Sequence, residues 1–154
     1  MSGRWLSWML AVLFLVAAFW QHARGRDRLR ASALLREAEA ISLGLLTAGQ
    51  APRAYLQQNI RNLRLAADLD PLEVGVPLAL GSQFLLLSSP QAAAEAYREA
   101  LAVEPRPEIY LNLGKALYLA GRKEEARENF DRAVALDWHL EAEVPEFETS
   151  SADP

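Results

Sequence analysis

The 154-residue sequence has no cysteine, two histidines, two lysines and two methionines. Without cysteine there is no disulfide framework, no thiolate metal site and no cysteine nucleophile. His22 and His139 stand apart as two isolated imidazoles, which make neither a catalytic triad nor a metal site. No glycine-rich phosphate loop, H-E-x-x-H or G-x-S-x-G motif occurs, so neither a catalytic group nor a cofactor is expected. β-branched residues are sparse and aromatics are 8% of the chain, which argues against an all-β fold. A basic excess is missing as well. The formal net charge is −4, which excludes a globally basic nucleic-acid binder.

What the chain does have is alanine and leucine, 27 of each. Both are strong helix formers, and the expected class is all-α. Charge is distributed unevenly. Residues 1–36 hold six Arg and one Asp, residues 37–138 ten bases and fourteen acids, and residues 139–154 five acids with no base. This asymmetry suggests a basic, membrane-proximal end and an acidic tail. Fourteen Arg against two Lys is the habit of a GC-rich, bacterial-type genome rather than a phosphate-binding pattern.

The longest apolar run is Trp5–Trp20, in which Ser7 is the one polar residue and no charge occurs. As a helix its 16 residues span roughly 24 Å, short of a ~30 Å hydrocarbon core. Trp5 and Trp8 at one end and Phe19 and Trp20 at the other form an aromatic belt. Arg4, His22 and Arg24 can snorkel and lengthen the effective span. Residues 1–25 are therefore expected to form a single-pass transmembrane anchor. Two alternatives stay open: a cleaved signal peptide ending near Ala17-Ala18, and a buried helix of a soluble fold. Arg24, Arg26, Arg28 and Arg30 outweigh Arg4 and the α-amine, so the positive-inside rule puts the following domain on the cytoplasmic side of the cell (inner) membrane, with an extracytoplasmic domain as the alternative.

From Arg26 onward, apolar residues recur at helical spacing and breaks fall at Gly49, Asp70-Pro71, Ser88-Ser89-Pro90, Glu104-Pro105 and Ala120-Gly121. The reading is a set of antiparallel helix pairs over 26–138. A repeat is visible at an offset of 33 residues, which relates Gly81 to Gly114, Ala93 to Ala126, Tyr97 to Phe130, Ala100 to Ala133 and Glu104 to Asp137. Small residues let two helix backbones approach, and an aromatic fills the gap beside them.

Tyr110, Leu113, Gly114, Tyr118 (or Leu117), Gly121, Ala126, Phe130, Ala133 and Leu136-Asp137 make residues 107–138 resemble a tetratricopeptide repeat, with Trp138 where the family closes on proline. Residues 72–105 resemble it through Leu80-Gly81, Ala93, Tyr97, Ala100 and Glu104-Pro105. Residues 26–71 do so weakly, through Ala48-Gly49-Gln50 as the turn and Ala54 as the small second-helix position. The resemblance implies a short α-solenoid whose concave face is lined by the first helix of each pair. Carried over by position, that face would present Arg36, Glu39, Leu43 and Leu46, then Leu78, Ser82, Leu85 and Leu86, then Leu111, Asn112, Lys115 and Tyr118. Asn112 occupies a position that the family uses to hold a ligand's backbone. The clamp for a terminal carboxylate in chaperone-binding relatives is not matched, so the resemblance points instead to an amphipathic helix or an extended apolar peptide. Leu78, Leu85 and Leu86 have an alternative reading as interior packing.

Residues 139–154 lack periodicity and carry Pro145, Ser150, Ser151 and Pro154. They are expected to be an acidic disordered tail. The function expected is a membrane-anchored, non-enzymatic scaffold that recruits a protein or peptide partner. The alternative is a permanent accessory subunit of a large membrane complex, with the transmembrane helix as part of the interface.

Overall fold

In a computed structural model, residues 3–48 and 52–145 are described. Residues 1–2, 49–51 and 146–154, together with the side chains of 3–7, 11 and 43–48, lie outside the description. Six helices follow one another: α1 (Gly3–Ala48), α2 (Arg53–Leu69), α3 (Gly75–Leu86), α4 (Pro90–Val103), α5 (Pro107–Leu119) and α6 (Lys123–Leu136). A 3-10 helix over Trp138–Glu143 comes last. No strand occurs among the described residues. Neighbours in sequence pack as pairs, α1 with α2, α3 with α4 and α5 with α6, so the fold is the all-α helical repeat that the spacing implied.

Local chemistry explains the breaks. Pro90 and Pro107 open α4 and α5, where a missing N–H costs no helical hydrogen bond. Gly121 adopts φ +79°. Its N–H donates to Tyr118 O at 3.0 Å and the Arg122 N–H to Leu117 O at 2.9 Å. These two bonds form a Schellman closure, which needs a left-handed residue. At the equivalent point of the preceding pair stands Ser88, with φ 56°. There the Ser88 N–H reaches Leu85 O at 2.9 Å and the Ser89 N–H reaches Phe84 O at 2.8 Å. The turn is the same, but its left-handed residue carries a Cβ, at a cost of about 1 kcal/mol.

Within each of the last two pairs the helices close on a glycine. A Cβ on Gly81 would sit 2.5 Å from Tyr97 Cε1, and one on Gly114 would sit 2.7 Å from Phe130 Cδ1. Tyr97 and Phe130 are 2% and 1% exposed, and Ala93, Ala100, Ala126 and Ala133 are fully buried beside them. The 33-residue offset is thus the period of this contact.

The first pair is built differently. α1 runs unbroken through residue 25, so the expected boundary between an anchor at 1–25 and a domain from 26 is not a break in the helix. At 46 residues its length is about 69 Å. Gly25 costs a helix interior only about 1 kcal/mol, and no proline interrupts the segment around it. The C-terminal part of α1 alone joins the array. Ala31 and Ala38, each 1% exposed, meet Ile60, Leu63 and Ala66 of α2, and Val76 and Leu80 of α3. Leu35 rests on Gly75 at the start of α3. Ala54, read as the small position of α2, is exposed. The buried face begins at Leu56 and continues through Asn59, Ile60 and Leu63, because α2 is three residues longer than α4 and α6 and shifts its register. Residues 8–10 and 12–22 of α1 are exposed along the whole stretch. Among the described residues, no helix is long and apolar enough to cross a membrane.

Two stability outcomes follow from this geometry. Gly114→Ala should destabilise by about 1–3 kcal/mol in urea unfolding, because the collision with Phe130 outweighs the better helix propensity of alanine. A stabilised Gly114→Ala would refute the close approach. Ser88→Gly should raise stability by about 0.5–1 kcal/mol by relieving the left-handed Cβ, and an unchanged or lower melting temperature would count against the turn assignment.

Candidate functional site

The face formed by α1, α3 and α5 is the one that the repeat resemblance marks for binding. α5 is set by Ile109, Leu113, Ala116 and Leu117, all buried, with Gly114 against Phe130. That packing fixes which residues face outward. Asn112, Lys115 and Tyr118 follow one another at three-residue spacing along α5 and are all half-buried, so one stripe carries an amide, an ammonium and a phenol.

The other predicted residues are placed less openly. Leu111 is 3% exposed within the core cluster. Its side chain is interior, packed in one cluster with residues of α4 and α6. Leu78 and Leu85 are half-buried and pack against that same cluster, which is the interior role left open for them. Leu86 is 42% exposed. Ser82 is exposed, but its hydroxyl donates to Leu78 O at 3.2 Å and lies 3.3 Å from Tyr97 Oη. Burial pushes the Tyr97 phenol above its ordinary pKa, and the bond with Ser82 opposes this. Arg36 and Glu39 are exposed, while the side chains of Leu43 and Leu46 lie outside the described residues.

Several participants were not singled out from the sequence. Lys115 Nζ pairs with Glu143 Oε2 at 2.7 Å. Glu143 ends the 3-10 helix, whose neighbours Leu140 and Val144 pack against the core cluster. Residues 139–145 are therefore an ordered strap and not the start of a disordered tail; residues 146–154 lie outside the description. The strap begins at Asp137, whose carboxylate accepts the His139 N–H at 3.1 Å and lies 3.0 Å from His139 Nδ1. The contacts with His139, the side chain first and then the backbone, hold the Asp137 carboxyl below its usual range. Trp138 stacks on His139 at 3.8 Å.

Between α1 and α3 lies a buried polar link. Gln83 Nε2 donates to Ser42 Oγ at 2.6 Å, Ser42 Oγ donates to Ala38 O at 2.7 Å, and Asn59 Nδ2 reaches the same carbonyl at 3.4 Å. Their polarity is what hid Asn59 and Gln83 in a search for apolar periodicity. On the opposite face Arg122 makes a two-pronged contact with Glu125, at 2.6 and 2.5 Å. This holds the Glu125 carboxyl below and the Arg122 guanidinium above their ordinary values. Among the described residues no group of three or more His, Cys, Asp or Glu side chains could hold a metal ion.

The strap is testable by stability. Leu140→Ala together with Val144→Ala should cost about 1–3 kcal/mol in urea unfolding, as half-buried aliphatics. Glu143→Gln should cost under about 0.5 kcal/mol, as an exposed ion pair. Near-zero loss from the aliphatic pair would return residues 139–145 to the tail.

Comparisons with known proteins agree with this geometry. Residues 78–141 match the tetratricopeptide repeat family. No curated protein matches the sequence. Among solved structures, a tetratricopeptide repeat protein of Thermus thermophilus is similar at TM-score 0.65 and 24% identity, over 80% of this chain and 66% of its own. MamA is similar at TM-score 0.60 and 20% identity, over 79% of this chain and 62% of its own. PilF of Pseudomonas aeruginosa is similar at TM-score 0.56 and 29% identity, over 77% of this chain and 48% of its own. The chain thus spans less than two thirds of the length of each. Glycine under aromatic, the left-handed turn and these similarities agree: the fold is that of the tetratricopeptide repeat, and residues 78–141 are the part that matches the family in sequence.

Proposed function

We propose that the chain is a non-enzymatic interaction module that recruits a protein or peptide partner on the face of α1, α3 and α5 and is held at a membrane by the head of α1. The stripe on α5 carries the interaction reading. Asn112 is half-buried, and no hydrogen bond takes up its amide among the described residues. Among the described residues Lys115 is engaged by Glu143 alone, an exposed pair of small energy that a ligand carboxylate can replace. Repeat arrays of this fold present extended surfaces for proteins rather than closed catalytic pockets.

Anchoring rests on a separate observation. Residues 8–10 and 12–20 are exposed, uncharged and almost wholly apolar, with Phe14 at 75% and Trp8 at 72% exposure. An apolar surface of that extent calls for a lipid or protein cover. The basic flank at Arg24, Arg26, Arg28 and Arg30 favours the cytoplasmic side of the cell membrane for the array. A second reading has its own support: the uncharged Trp5–Trp20 run, of 16 residues, falls short of the ~20 needed to span. In that reading α1 is seated in a larger membrane complex as a permanent interface, and the chain is one of its accessory subunits.

Carbonate extraction and detergent co-migration separate these outcomes. An anchored recruiter stays with the membrane and purifies alone, while a permanent subunit co-migrates stoichiometrically. A chain freed by carbonate overturns the anchor. For the face, Asn112→Ala with Lys115→Ala should leave the melting temperature within a few degrees and reduce crosslinking to the partner in intact membranes about fivefold or more, equivalent to ~1 kcal/mol. A folded double variant that crosslinks like the wild type overturns this face as the interface.

A further inference from the structure

The opposite face, formed by α2, α4 and α6, is not uniform. Between α4 and α6 the gap is bridged, with Arg98 contacting both Glu95 at 2.5 Å and Glu125 at 3.6 Å. Between α2 and α4 the gap stands open. Two adjoining cavities of about 350 and 530 Å³ share Ala67, Leu80 and Glu99 in their linings and form one groove. Its floor is α3, through Val76, Pro77, Leu80 and Phe84, of which Phe84 is half-buried and the other three are buried. Those residues span about two turns of helix. Its walls are low because they are built from alanine: Ala67 on one side, and Ala92, Ala96 and Ala102 on the other.

The rim is acidic. Asp68, Asp70, Glu73, Glu95 and Glu99 line it, against Arg64 as the one base. Asp68 and Glu99 enter no ion pair among the described residues. At the mouth the chain already supplies a sample of the charge the rim accepts: Arg28 of α1 lies 3.6 Å from Asp70. An apolar floor of two turns under a predominantly acidic rim selects by shape and charge together. We propose that the groove between α2 and α4 is a second docking site, and that its occupant is a basic amphipathic segment of a partner protein. That segment lays an aliphatic stripe on the half-buried Ala67, Phe84, Ala92 and Val103 and presents arginine or lysine to Asp68 and Glu99. The site is independent of the stripe on α5 and of membrane anchoring.

The test uses the full chain in detergent micelles and a defined probe. The probe is a synthetic helical peptide of about four turns with leucines aligned on one face and arginines flanking them. A scrambled peptide of the same composition and a glutamate-for-arginine version accompany it. Fluorescence anisotropy should report binding of the aligned arginine peptide that weakens with added salt. Asp68→Arg with Glu99→Arg should weaken it at least about tenfold. Asp68→Asn with Glu99→Gln, which keeps the side-chain shapes, should weaken it less but in the same direction. Lys115→Ala should leave it unchanged, which separates this groove from the α5 face. Equal binding of the scrambled or glutamate peptide overturns the proposal, as does affinity within about twofold in the reversed variant. Self-association in sedimentation velocity that the same reversal abolishes would replace the partner with a second copy, and so overturns it as well.

Discussion

The array depends on one contact made twice: a glycine on the first helix of a pair lying flat against an aromatic ring of the second. At Gly81 and Gly114 the space a methyl group would need is already taken by Tyr97 and Phe130. The ring then fills what would otherwise be a void between backbones at close approach. The fully buried alanines one turn to either side, Ala93 and Ala100 in one pair and Ala126 and Ala133 in the other, follow from the same distance. Larger side chains there would separate the helices and lift the ring off the glycine. The turn obeys it too. Each pair closes through a left-handed residue, Ser88 or Gly121, which reverses the chain tightly enough for the second helix to start beside the glycine.

α1 and α2 lack that contact and are held by other means. Ile60, Leu63 and Ala66 of α2 are buried in one cluster with Ala31 and Ala38 of α1, so aliphatic side chains and alanines make this contact. Alignment comes from the chain of Gln83, Ser42 and Asn59 onto the Ala38 carbonyl. Among the described residues, two oxygens of that link, Asn59 Oδ1 and Gln83 Oε1, are buried with no hydrogen-bond partner.

How far these features were legible in the sequence follows the same division. The register of α3 to α6 could be read because glycine, alanine and aromatics at fixed spacing are rare together and their cause is steric. The first unit could not be read by the same rule. Its buried positions in α2 are Leu56, Asn59, Ile60, Leu63 and Ala66; leucine and alanine occur throughout this chain, and Ala54 was a match of residue type without a match of position. The boundary expected after residue 25 is crossed by α1, because a charged stretch rich in helix formers continues a helix as readily as it ends one. Leu111 looked available by family position, although only three-dimensional enclosure decides whether such a leucine is reached. The strap at 139–145 was hidden for a related reason. Leu140 and Val144 are too few to show a period, and their cover is a core made elsewhere in the chain.

The two faces of the array are left in different electrostatic states, and this bears on what each can select. On the α5 side the single cation, Lys115, is met by a carboxylate from the chain's own strap. A ligand there exchanges one exposed ion pair for another, and its selectivity must come from the amide of Asn112 and from shape. On the other side, Arg98 spends its guanidinium on Glu95 and Glu125. Of the carboxylates over the α2–α4 groove, Glu95 is paired with Arg98 and Asp70 lies near Arg28, while Asp68 and Glu99 enter no ion pair among the described residues. Repulsion between Asp68 and Glu99 is relieved when a cation arrives, so charge contributes to binding there instead of merely being exchanged. In a chain with two lysines and fourteen arginines, the α2–α4 groove is where unneutralised negative charge meets uncovered apolar surface.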